Sequence, residues 1–125
     1  MRTGWLVGPL GLVMAALATG LSAGPELRRF GTDSYQAVLE AHASEPFLLV
    51  FWSLECPPCY RELKKLGEMG AGKAFETVLV ATDGPGHAPR IRETLKRFDL
   101  QQAEWWVFDG PRMKLRFSVD RQWYG

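Results

Sequence analysis

Six apolar residues in a row, Phe47-Leu48-Leu49-Val50-Phe51-Trp52, pass through Ser53-Leu54-Glu55 into Cys56-Pro57-Pro58-Cys59. No other stretch of the 125-residue chain constrains its fold as tightly. A short apolar run that starts after Pro46 suits a strand covered on both faces, as in a parallel sheet. Pro57-Pro58 then opens a helix, because proline is tolerated in the first turn, where its missing N–H would have had no partner. Along that helix Cys59, Leu63, Leu66 and Met69 share one face. Arg61, Glu62, Lys64, Lys65 and Glu68 share the other, and Gly70 and Gly72 stop it. The junction predicts a strand, a tight turn and a helix, with two thiols at the helix start.

Elements of matching type flank it. Thr32 or Asp33 can cap a helix in which Tyr35, Val38, Leu39 and His42 recur at helical spacing, ended by Pro46. Thr77 to Ala81 reads as a second buried strand, and Asp83 to His87 as a loop by composition. Pro89 starts a third helix with Ile91, Leu95 and Phe98 on its apolar face. Trp105 to Phe108 reads as a third strand, closed by Asp109-Gly110. Alternating helices and strands predict parallel βαβ units in one α/β domain. Trp52, Trp105 and Trp106 are expected in its core, with Tyr35, Val38 and Leu39. Residues 24–33 show no strong periodicity and read as a lead-in. The stretch 111–120 is double-valued: Met113, Leu115, Phe117 and Val119 alternate as in a strand, yet Pro111 marks a helix start.

A formal charge of +1 argues against a surface built to hold nucleic acid or anionic lipid. The N-terminus is more telling. After Arg2 no charge occurs until Glu26, and Trp5 to Leu21 is dominated by Leu, Val, Ala and Gly. A basic start, an apolar stretch and small residues at its end describe a secretory signal over residues 1–23, with the domain in 24–125. If it is not cleaved, the run of about 20 residues is long enough to anchor the protein in a bilayer.

Outside the cytosol a disulfide persists, and Cys56 and Cys59 have no other cysteine to pair with in this chain. Their small loop constrains the unfolded chain less than the ~3 kcal/mol of a 15-residue loop, so a structural staple explains the pair poorly. Chemistry explains it better. Cys56 lies where free N–H groups and the helix dipole favour a thiolate. The three-residue spacing brings the two Cα atoms within the roughly 4.4–6.8 Å that a disulfide needs. Cys59, on the apolar stripe, is expected to be the more sheltered thiol. Arg61 is read as an ordinary surface charge. Metal binding is the competing use of the pair, with soft thiolates suited to Cu⁺. A structural zinc site wants four ligands, and only His42 and His87 remain, read as surface or loop residues. Tyr60 stands where covalent haem attachment needs histidine.

From Phe47 onward the chain resembles the thioredoxin-like superfamily, in particular exported thiol–disulfide reductases related to cytochrome c maturation factors. The C-x-x-C at a strand–helix junction after Phe51-Trp52 carries that resemblance. It implies a thioredoxin-like sandwich, Cys56 as nucleophile and Cys59 as resolving thiol, and no metal or organic cofactor. It also implies protein thiol or disulfide substrates, a dithiol electron donor and a periplasmic or otherwise extracytoplasmic location, with inner-membrane attachment if the leader stays. It favours a helix at 111–120. Glu55 departs from the family's usual tryptophan, and Val50 replaces a buried carboxylate. The family's proline loop, antiparallel C-terminal β-hairpin and last helix have no counterpart before Gly125. The resemblance thus reads the chain as an incomplete member, with a truncated, inactive remnant as one alternative and a Cu⁺ carrier as the other.

Overall fold

The computed structural model describes residues 24–123, together with Gly4. The leader assigned to residues 1–23 therefore lies, Gly4 apart, outside the described residues. Nine elements follow in order: β1 (Leu27–Phe30), α1 (Ser34–Ala41), β2 (Leu48–Trp52), α2 (Pro57–Glu68), β3 (Thr77–Ala81), a 3₁₀ turn (Pro85–His87), α3 (Ala88–Arg97), β4 (Glu104–Phe108) and α4 (Arg112–Val119). The architecture is α/β, as expected, and consistent with a thioredoxin-like sandwich. Among the described residues no helix is long and apolar enough to cross a membrane.

The four strands form one parallel sheet in the order β1-β4-β3-β2. Travel from β2 to β3 to β4 runs one way across the sheet, whereas the step from β1 to β2 runs the other way. Right-handed crossovers then place α2 and α3 on one face and α1 on the opposite face. Strand alternation divides the core accordingly. Trp52, Leu79, Ala81, Trp105 and Val107 meet Leu63 of α2 and Ile91 and Leu95 of α3. Phe30, Val78, Val80 and Phe108 meet Val38 of α1 and Leu115 of α4. Every residue of β3 is buried, as expected of a strand with neighbours on both sides and helices on both faces.

Four expectations need correction. The lead-in contains a strand: β1 pairs with β4, Leu27 opposite Trp105 and Phe30 opposite Phe108, so the sheet has four strands rather than three. β2 has both faces covered, as expected, with Val50 and Trp52 on one and Leu49 and Phe51 on the other, although among the described residues only β3 flanks it and Leu48 stays exposed. Met69 leaves the α2 stripe: it caps the helix C-terminus and is 63% exposed. Trp106 is only half-buried, its indole N–H donating to Glu104 Oε1 at 2.6 Å. His42 is no free surface histidine, since its side chain is 13% exposed and stacks on Phe47. The stretch 111–120 resolves as the helix α4.

Two glycines hold α2 and its exit close to neighbouring backbone. A Cβ at Gly67 would collide with the carbonyl of Phe98, so glycine lets α2 lie directly against the end of α3. Gly72, at φ +87°, turns the chain in the left-handed region hard against Gln102 and Ala103.

Candidate functional site

The sheet's carboxyl edge carries the cysteine pair. β2 ends at Trp52, the connector Ser53–Glu55 turns, and α2 begins at Pro57. Cys56 is the N-cap of α2, and its sulfur accepts the Cys59 backbone N–H at 3.3 Å. The Cys59 N–H is shared between the Cys56 carbonyl, at 3.0 Å, and the Cys56 sulfur. Cys56 and Cys59 are joined in a disulfide, with Cα atoms 5.2 Å apart. Both are partly buried, and Cys59 packs against the core cluster of Leu54, Leu63 and Trp52. Of the two, Cys59 is the one that the helix turns toward the core.

The turn itself is held from several directions. Leu54 is buried, its N–H donates to Asp83 Oδ2 at 3.1 Å, and its carbonyl accepts the Tyr60 hydroxyl at 2.8 Å. Glu55 N–H donates to Ser53 Oγ at 3.1 Å and Cys56 N–H to the Ser53 carbonyl at 3.3 Å. From the end of β3, Thr82 sends its N–H (2.8 Å) and its hydroxyl (3.3 Å) to the Trp52 carbonyl. Tyr60 is fixed in turn by the Arg97 guanidinium, 5.9 Å from its ring centre, and by Phe98 at 6.1 Å. The side chains of Glu55 and Arg61 stay in solvent.

Thr82 and Asp83 also wall an open crevice of ≈ 350 Å³ with Gly84, Pro85, Phe108, Gly110 and Arg112. It opens between the carboxyl ends of β3 and β4, whose following helices lie on opposite faces of the sheet. In open α/β sheets such a divergence point is where ligands bind.

Among the described residues no three His, Cys, Asp or Glu side chains converge to hold a metal ion. His87 is exposed on the 3₁₀ turn. His42 sits at the opposite, amino edge of the sheet against Glu104. Cys56 and Cys59 were legible from the sequence; Thr82, Asp83 and Tyr60, which hold their turn, were not. Asp83 sits in a segment that composition marks only as a loop, and nothing in that composition separates a buried carboxylate from a solvated one. Comparison of the chain with protein-family models, with curated proteins and with solved structures returns no match.

Proposed function

We propose that the protein is a thiol–disulfide oxidoreductase of thioredoxin-like type, with Cys56 as nucleophile and Cys59 as resolving thiol. One observation carries this reading: Cys56 caps α2 with its sulfur on a backbone N–H, in a disulfide with a cysteine that packs on the core. A helix start lowers a thiol's pKa and favours it as attacking group. In the reduced protein the Cys56 thiolate attacks one sulfur of a substrate disulfide, and the other substrate sulfur leaves as a thiolate. The Cys59 thiolate then attacks Cys56 sulfur in the mixed disulfide and expels the remaining substrate thiolate. The substrate gains two electrons and the protein regains its disulfide. A dithiol partner returns the pair to the reduced state by the reverse sequence. No metal or organic cofactor enters these steps. The crevice beside Asp83 supplies a recess for the chain that flanks the substrate disulfide. The uncharged run from Trp5 to Leu21 supports placing this activity outside the cytoplasm.

The test is a glutathione redox titration with mixed-disulfide trapping. A reversible two-electron couple is expected, with Cys59→Ser accumulating partner adducts on Cys56 and Cys56→Ser accumulating none. Equal trapping by both variants would reject the assigned roles. Tight stoichiometric Cu⁺ binding without a dithiol couple would favour metal carriage.

A further inference from the structure

We infer that Asp83 is the positioning residue of the redox turn, holding Cys56 at the α2 N-terminus through the Leu54 amide; this rests on the oxidoreductase reading above. Asp83 is a carboxylate only 7% exposed, and burial of such a group is tolerated only when its oxygens find donors. The donor it meets is the N–H of Leu54, a buried residue two positions before Cys56. Tyr60 takes the Leu54 carbonyl from the other side, so both polar groups of one buried residue are fixed by side chains from β3's exit and from α2. Thr82 holds Trp52 immediately upstream. Position therefore passes from the fully buried strand β3, through Asp83, into a turn whose own strand is flanked on one side only.

The consequence is geometric. Cys56 receives the Cys59 N–H only while the turn keeps it in the cap position, at a sulfur–nitrogen distance of 3.3 Å. Without an acceptor for its N–H, Leu54 keeps an unpaired buried donor unless the turn moves, and the cost of that donor favours a turn that has moved and taken the cap with it. Two roles for Asp83 predict opposite signs. As a charge near the pair, the carboxylate would oppose the Cys56 thiolate, and its removal would lower the thiol's titration midpoint. As a holder of the turn it favours the thiolate, and its loss raises the midpoint.

The experiment measures iodoacetamide alkylation of Cys56 against pH in full-length Cys59→Ser protein, alone and combined with Asp83→Ala or Asp83→Asn. Asparagine keeps an oxygen that accepts the Leu54 N–H and drops the charge. Asp83→Ala is expected to raise the midpoint and to slow alkylation at neutral pH by about tenfold, with Asp83→Asn close to the parent. A lowered midpoint in both variants would mean that Asp83 acts by charge, and an unchanged midpoint in Asp83→Ala would mean that it positions nothing; either overturns the proposal. If Asp83→Ala does not fold, Tyr60→Phe frees the other polar group of Leu54 and must raise the midpoint likewise. Alkylation needs no substrate protein, so these outcomes are read even if the parent exchanges no disulfide, which would count against the oxidoreductase reading alone.

Discussion

His42 Nε2 lies 3.1 Å from Glu104 Oε2, joining the end of α1 to the first residue of β4 at the amino edge of the sheet. The same carboxylate accepts the Trp106 indole N–H at 2.6 Å and Arg28 at 3.3 Å through its other oxygen. One glutamate thus ties α1 and β1 to β4. Glu104→Ala should cost about 1–3 kcal/mol in a urea titration, since it strands a half-buried imidazole and an indole donor. Alkylation of Cys56 should be unchanged, because the cluster sits at the far edge from the cysteines. A slower alkylation would show that the two edges are coupled.

Removing the disulfide should weaken the fold without unfolding it. The closed loop is so short that chain entropy credits it with at most about 2 kcal/mol. The Cys56→Ser/Cys59→Ser double variant should therefore melt cooperatively, at most about 8–16 °C below the oxidised parent. Loss of the folded transition would make the bond structural rather than chemical.

Glu55 is exposed beside Cys56, with its backbone N–H held by Ser53. A neighbouring negative charge opposes thiolate formation, though solvent screens it. Glu55→Gln should speed alkylation of reduced Cys56 at neutral pH by about twofold, and the gap between variant and parent should shrink as salt is added. An effect that is independent of salt would point to a change in the turn instead.

Gly67→Ala tests the contact between α2 and α3. The added methyl meets the Phe98 carbonyl, which belongs to backbone and cannot swing aside. In an exposed helix interior the same change would be favourable by up to about 1 kcal/mol. Here overpacking should reverse the sign and cost about 1–3 kcal/mol, read as a drop in melting temperature. A stabilised variant would mean that the helices separate easily.

What the sequence disclosed and what it hid follow from where each element gets its stability. β2, β3 and β4 are apolar runs, legible because burial on both faces leaves little room for polar residues. β1 is four residues, Leu-Arg-Arg-Phe, with both arginines exposed and only its ends buried. Its strand character comes from pairing with β4, which no local pattern announces. The alternation in α4 left that stretch double-valued for a related reason. Met113 and Phe117 are apolar yet exposed, and only Leu115 is buried. The cysteine pair was legible because its chemistry depends on spacing and on a helix start, both local. The Asp83–Leu54 bond spans 29 positions and exists only once β3 lies beside β2.

All four strands run the same way, and each is followed by a helix. The starts of α1, α2, α3 and α4 therefore collect on the edge that carries Cys56, and their ends on the edge of His42 and Glu104. Backbone dipoles that would cancel in an up-and-down bundle instead add, and the molecule is poled along its strands. Each helix start carries the equivalent of roughly half a positive charge. Only that of α2 reaches Cys56 at bonding range; the other three act across solvent and fade with ionic strength. In the proposed exchange, a partner that attacks the disulfide arrives as a thiolate anion, and it arrives at the positive pole. Its encounter rate should then fall as salt is raised, even where the chemistry after encounter does not change.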